Sequence, residues 1–285
     1  MRSSFFCTLL LLAPQLSQAQ DLAFVVLSDP QFGMYTENRG FAQETANFEF
    51  AISTVNRLHP AFVVVCGDLT NKAGDSAQIA EYQRIVKRLD RSIPIYSLPG
   101  NHDVGNEPTA ESLAAYRASY GRDYYTFRQG NLEGIVLNSS LIQHPDRAAA
   151  EAAKQEAWLD KELQAAQRDG VGRVLVFQHI PWFLQTADEP DQYFNIPTAI
   201  RSRYLALFDK YGVHEVFAGH YHRNAEGRSA TIHMTTTGPV GKPIGPDPSG
   251  IRIVTVNGPS VESQYYGLGN LPNTLSKPLT PPRKP

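Results

Sequence analysis

The chain has 285 residues, of which 42% are hydrophobic and 19% charged; that is enough apolar material for a sizeable core and too little charge for a disordered polyampholyte. At about 100–200 residues per domain the length allows one large domain or two small ones. The formal net charge of −2 leaves no basic excess to neutralise a nucleic-acid backbone, and two cysteines are too few for a disulfide scaffold or a zinc site built on cysteine pairs.

Residues 1–19 read as a cleaved signal peptide. Arg2 precedes an apolar run over 5–13, and Ser17-Gln18-Ala19 forms a small-x-small cleavage site, with cutting expected after Ala19. The apolar run is too short to span about 30 Å of hydrocarbon. Cleavage removes Cys7 and leaves Cys66 alone, so no intrachain disulfide is expected. No later segment is long and apolar enough to cross a bilayer, and the expected product is soluble and either secreted or periplasmic.

From residue 20 to 270 the sequence reads as one domain. Short apolar runs over 22–27, 61–66, 93–98, 173–177 and 213–218 predict buried strands. Between them, 3.6-residue periodicity predicts helices over 41–58, 75–89, 111–120, 148–167 and 197–211. Strands without intervening helices are predicted at 124–128 against 134–138, and again at 231–237, 251–256 and 261–265. This mixture predicts an α/β core with a second, partly antiparallel sheet. Residues 238–250 are rich in glycine and proline and contain Lys242, a loop that either approaches the site or lies on the surface. The tail, 271–285, is proline-rich without periodicity and reads as extended or disordered.

Polar residues collect where these strands end. The first run ends in Ser28-Asp29-Pro30-Gln31, the second in Gly67-Asp68-Leu69-Thr70 and the third in Gly100-Asn101-His102-Asp103. The fourth ends in Gln178-His179 and the fifth in Gly219-His220-Tyr221-His222. Parallel strands joined by helices place their C-terminal ends on one edge, where open α/β sheets bind ligands. His220 and His222 share a face only if their backbone is extended. Carboxylate, amide and imidazole donors without thiolate suit Mn, Fe or Zn. The donors are too many for one ion, and two divalent ions about 3.5–4 Å apart are the arrangement for in-line phosphoryl displacement. No nucleophile elbow and no P-loop motif is present.

The ordered set Asp29-x-Gln31, Gly67-Asp68, Gly100-Asn101-His102-Asp103, His179 and Gly219-His220-Tyr221-His222 resembles the calcineurin-like metallophosphoesterases. The stretches from Ser28 to Gly33, Gln178 to Pro181 and Gly219 to Asn224 are most similar to the subgroup of calcineurin-like phosphoesterase domain-containing protein 1, for which serine/threonine phosphatase activity has been proposed. The resemblance implies a four-layer α/β/β/α sandwich with a two-metal site between its sheets. It implies that Asp29, Gln31 and His222 hold the first metal, Asn101, His179 and His220 the second, and that Asp68 bridges both. It implies that a metal-bridging hydroxide attacks phosphorus and that His102 serves the leaving group as a general acid. Asp103 either orients His102 or caps a loop. The implied substrate is a phosphomonoester, with phosphoserine and phosphothreonine as candidates. A phosphodiesterase acting on nucleotides or lipid headgroups, and a non-catalytic metal-binding relative, are the alternatives. The oligomeric state is left open.

Two positions depart from the wider family. Gln31 stands where most members have histidine, and an amide oxygen is the weaker donor to these metals. Asn71 stands where phosphoprotein phosphatases carry an Asp that orients the catalytic histidine, and where purple acid phosphatases carry Tyr. Arg223 and Asn224 are candidate substrate contacts. Trp182 and Phe183 belong either to the pocket wall or to the core, and His59, His144, His214 and His233 fall outside the motif.

Overall fold

The computed structural model describes residues 21–275; the expected signal peptide lies outside them. The first half alternates strand and helix: β1 (Leu22–Leu27), α1 (Ala42–Leu58), β2 (Val63–Cys66), α2 (Ser76–Val86) and β3 (Ile95–Leu98). A single helical turn, α3 (Asn101–Val104), and α4 (Ala110–Tyr120) lead into the hairpin of β4 (Tyr125–Gln129) and β5 (Leu132–Val136). Then come α5 (Ser139–Gln143), α6 (Ala149–Arg168), β6 (Arg173–Phe177), α7 (Thr198–Lys210) and β7 (Glu215–Ala218). The described chain closes with β8 (Ala225–Arg228), β9 (His233–Thr236), β10 (Gly250–Asn257) and β11 (Ser260–Gly267).

The strands form two sheets, ordered β11-β10-β1-β2-β3 and β4-β5-β6-β7-β9-β8. Period-two alternation divides each central strand between two cores. In β1, Phe24 and Val26 face the other sheet while Val25 and Leu27 face α1 and α2; in β2, Val64 and Cys66 divide from Val63 and Val65 the same way. In the second sheet, Leu175, Phe177 and Phe217 point inward, and Val176, Val216 and Ala218 pack outward on α6 and α7. The inner layer is aromatic: Phe24 stacks on Phe62 at 4.5 Å, and Phe177 on Phe217 at 5.5 Å between ring centroids. Three cores separating four layers give the α/β/β/α sandwich that the resemblance implied. Burial of each such side chain is worth roughly 1.5–3 kcal/mol.

The topology sets the site. β1, β2 and β3 are parallel, with Leu27 paired to Val65 and Cys66 to Leu98, so their C-terminal ends share an edge. β5, β6 and β7 are likewise parallel, with Val136 paired to Phe177 and Phe177 to Phe217. Among the described residues no helix is long and apolar enough to cross a membrane.

The predicted elements are recovered with shifted ends. The helix predicted over 75–89 stops at Val86 because Arg88 and Leu89 donate to carbonyls three residues back, tightening the last turn. β2 and β3 each begin two residues later than predicted. α3, α5 and β8 are not in the sequence reading. Residues 271–275 of the tail carry Leu271 and Leu275 against the outer core, and Arg57 donates to the carbonyls of Pro272 and Asn273 at 2.9 and 2.6 Å. The rest of the tail lies outside the described residues.

Candidate metal centre

Two groups of buried donors meet at the shared sheet edge. Asp68, His179 and His220 bring one ligand atom each within 4.8 Å of one another, and Asp29, Asp68 and His222 do the same. Asp68 belongs to both. Within the first group, His179 Nε2 lies 3.3 Å from Asp68 Oδ2, 3.2 Å from His220 Nδ1 and 3.0 Å from Asn101 Oδ1. In the second, His222 Nε2 lies 3.3 Å from Asp29 Oδ1. Donors about 2.1 Å from one ion stand roughly 3.0–3.4 Å apart, so these separations fit coordination edges.

The donor chemistry fits a cation as well. Each imidazole gives one nitrogen to a main-chain carbonyl and turns the other inward. His179 Nδ1 donates to Cys66 O at 2.8 Å, His220 Nε2 to Tyr193 O at 3.1 Å and His222 Nδ1 to Lys242 O at 2.6 Å. This is how metal-binding histidines are held in orientation and tautomer. The inward lone pairs of His179 and His220 then face each other, the Asn101 amide oxygen and a carboxylate. Burial opposes protonation of His179, but the Asp68 carboxylate beside it carries its pKa up to about 9. Burial, aided by His179, pushes His220 down to about 4. One proton serves one acceptor, whereas a divalent cation serves the whole group. Asp29 Oδ1 and Gln31 Oε1 are buried with no hydrogen-bond partner among the described residues, which leaves both able to serve such a cation.

Backbone geometry delivers these side chains. Among the described residues, eight non-glycine residues have positive φ, and five are Asp29, Gln31, Asp68, His220 and His222. Asp and His tolerate this region better than most residues, and strain of this kind gathers at functional sites. It also decides the condition set for the two histidines. Their backbone is left-handed rather than extended, so they do not share a face, and each enters a different donor group. Two glycines permit the close packing. A Cβ on Gly100 would overlap the Asp68 carboxylate and main-chain nitrogen, and one on Gly219 would overlap the Ser28 hydroxyl. That hydroxyl donates to Asp29 Oδ2, which also accepts the His220 N–H at 3.1 Å, leaving Oδ1 free for the site.

The family model for calcineurin-like phosphoesterases matches residues 22–224, which contain every one of these donors. The chain belongs to the calcineurin-like phosphoesterase family. It is accordingly a two-metal phosphoric ester hydrolase. It is similar to the human "Serine/threonine-protein phosphatase CPPED1", with 36% identity over 264 residues, covering 87% of this chain and 84% of the relative. The fold is similar to a purple acid phosphatase of yellow lupin, PPD1, at a TM-score of 0.66 and 15% identity, covering 90% of this chain and 53% of that one. It is also similar to a dimetal phosphatase from Danio rerio, at a TM-score of 0.59 and 15% identity, covering 86% and 99%.

Other phosphoesterase candidates are placed as follows. His102 donates its main-chain N–H to Asp68 Oδ1 at 2.9 Å, and its Nδ1 donates to the main-chain carbonyl of Asn71 at 2.9 Å. Asn71, which has no carboxylate to orient the ring, thus holds it through its backbone. The Asn71 side chain accepts from Gln31 Nε2 at 3.1 Å and donates to Asn38 Oδ1 at 2.8 Å, so it braces the Gln31 amide.

Asp103 is corrected: its carboxylate does not orient His102. It accepts from the N–H groups of Leu69, Thr70 and Gly100 at 2.9–3.0 Å and from the Thr70 hydroxyl at 3.1 Å, tying the β2 and β3 ends together. Asn224 is not free for substrate, because it donates to Asp247 and accepts from Arg252 and the Gly238 N–H. The Arg223 guanidinium lies 4.9 Å from the Tyr221 ring centroid. Trp182 and Phe183 are fully buried core residues, with Trp182 stacked on Tyr204 at 5.0 Å. The 238–250 loop does reach the site, through the Lys242 carbonyl and through Gly241 N–H on Asp29 O at 3.1 Å. The sequence reading missed the carbonyls of Cys66, Asn71, Tyr193 and Lys242; main-chain groups carry no residue-type signal.

Proposed function

We propose that the chain is an exported phosphomonoesterase acting on phosphoserine or phosphothreonine. The observation that carries the two-ion reading is Asp68, the one carboxylate common to both donor groups. Asp29, Gln31 and His222 would hold one ion, Asn101, His179 and His220 the other, and Asp68 both. When bound, such a pair supplies Lewis acidity toward phosphate oxygens and a water whose pKa is lowered toward about 7.

The chain's own groups do the rest. The Asp68 carboxylate fixes the backbone of His102, and the Asn71 carbonyl holds a proton on His102 Nδ1. Nε2 is then the nitrogen that delivers a proton to the departing alkoxide as a water oxygen takes its place on phosphorus and the ester P–O bond breaks, giving the alcohol and inorganic phosphate; such general acid catalysis contributes typically about 10²–10⁴ in rate. Buried Asp29 and Asp68 give the site the negative charge that holds cations against the phosphate dianion.

The choice of a monoester on serine or threonine is supported by the human relative's name and by its coverage of most of both chains. Metal-reconstituted protein should cleave a phosphopeptide and nitrophenyl phosphate faster than bis-nitrophenyl phosphate. Preference for the diester would overturn the reading. Export rests on Arg2, the apolar run and Ser17-Gln18-Ala19. N-terminal sequencing of protein from the exported fraction should begin at Gln20, and intact Met1 there would refute cleavage.

A further inference from the structure

The loop from β6 to α7, residues 178–197, holds no regular element yet is firmly built. Buried Arg201 donates to the carbonyls of Ile196, Ala187 and Glu189 at 3.0–3.1 Å. The Glu189 carboxylate accepts the N–H groups of Leu184 and Gln185 at 2.8 Å and Asn195 Nδ2 at 2.7 Å. This frame presents Tyr193, a residue 58% exposed, whose carbonyl holds His220 while its ring lies 5.0 Å from the His220 ring. Its hydroxyl accepts from Asn101 Nδ2 at 3.5 Å.

Beside Tyr193 opens a cleft of about 460 Å³ that shares His220 with the metal centre and includes Asn106, Gln143, His144 and Gln192. Among the described residues no lysine or arginine lines it. Its one carboxylate, Asp191, is committed to the N–H and hydroxyl of Thr198 at 2.7 and 2.6 Å. The volume lies within the range of small-ligand sites.

We propose that this cleft is the subsite for the part of the substrate beyond the phosphate, that it takes the uncharged peptide flanking a phosphoserine or phosphothreonine, and that Tyr193 is its specificity-determining residue. The proposal rests on the phosphomonoesterase reading above. Side-chain amides complement peptide N–H and C=O groups, and an exposed tyrosine offers a flat apolar face with little ordering cost. The lack of cations counts against substrates with further phosphates, such as nucleoside di- or triphosphates and polyphosphorylated headgroups. A nucleoside monophosphate is the nearest competitor, but among the described residues no second Phe, Tyr or Trp lines the cleft to sandwich a base.

The test uses metal-loaded full-length protein, the Tyr193→Ala variant, which keeps the carbonyl on His220, and His144→Ala on the same cleft. Calorimetry compares a phosphonate analogue of a phosphoserine peptide with uncharged flanks against inorganic phosphate. Losing the aromatic contact should lower the peptide-to-phosphate affinity ratio of Tyr193→Ala by about three- to tenfold, with two metal equivalents retained. His144→Ala should shift the ratio the same way. Wild-type kcat/KM should be higher for the phosphopeptide than for adenosine monophosphate. An unchanged ratio in both variants overturns the subsite, and a preference for adenosine monophosphate overturns the peptide assignment. Protein that binds inorganic phosphate but hydrolyses neither ester refutes the phosphomonoesterase reading, while the affinity ratio still judges the cleft.

Discussion

Asp103→Asn separates a structural carboxylate from a catalytic one. Asp103 Oδ1 accepts from Thr70 N–H and Oγ1, and Oδ2 from Leu69 N–H and Gly100 N–H. Burial and the neighbouring Asp68 carboxylate push its carboxyl up to about 6 against those backbone donors, so at pH 8 it is ionised. An isosteric amide must point its NH₂ at one of the two pairs of donors. Aimed at Leu69 and Gly100 it strands two backbone donors; aimed at Thr70 it strands one, because the hydroxyl can rotate to accept. The second orientation wins, at about 1–3 kcal/mol for the stranded N–H. The two surviving bonds lose their charge assistance, about 1 kcal/mol each, and the cheaper burial of a neutral group offsets part of this. The expected loss is about 2–4 kcal/mol, read from urea unfolding of the metal-loaded protein at pH 8. Metal content should fall with it, since Thr70 and Gly100 neighbour the segments carrying Asp68 and Asn101. Stability within about 0.5 kcal/mol of wild type, together with full metal and abolished turnover, would refute the bracing role and return Asp103 to the chemistry.

Asp68→Asn should abolish turnover and lower bound metal below two equivalents by elemental analysis, with affinity losses at least on the scale of about 10–100-fold known for outer-shell partners; full occupancy with normal turnover would end the shared-carboxylate account. His102→Ala should retain metal and slow alkyl phosphates by about 10²–10⁴, but slow nitrophenyl phosphate far less, because that leaving group departs without a proton. Equal losses for both would make His102 structural. Gln31→His should tighten one of two metal sites in calorimetric titration of metal-free protein and Gln31→Ala should weaken it, without His raising turnover, since stronger donation makes a poorer Lewis acid. Unchanged affinity in both variants would remove Gln31 from the ligands.

The layers were legible because their signals are local. Val63–Cys66 is apolar at every position since β2 is covered on both faces, and a run of that kind between two amphipathic helices specifies a buried parallel strand. The elements that escaped have weaker patterns. β8 reads Ala-Glu-Gly-Arg and is held as a strand by pairing with β9. α3 is a single turn inside the segment Gly-Asn-His-Asp, too short for periodicity to register. The packing of the tail carries no such pattern: its proline content signals only the lack of regular structure, while Leu271 and Leu275 pack against the outer core.

The donor types of the site were legible for the same reason, since Asp, Asn and His at successive strand ends are unlike what a buried sheet edge otherwise carries. What holds them was not. Four imidazoles are fixed by four main-chain carbonyls, from Cys66, Asn71, Tyr193 and Lys242, and every residue has such a group. Which carbonyl serves depends on chain paths that meet only after the two sheets have packed. The left-handed turns at Asp29, Asp68, His220 and His222 follow from the same cause: a strand must stop and turn sharply for its terminal donor to face inward between the sheets. A substitution that spares all the donors but alters a turn can therefore still remove the site. Asn71 is the clearest instance, because its backbone serves His102 while its side chain serves Gln31. One residue outside the ligand motif thus connects His102 to Gln31, the position that departs most from the family pattern.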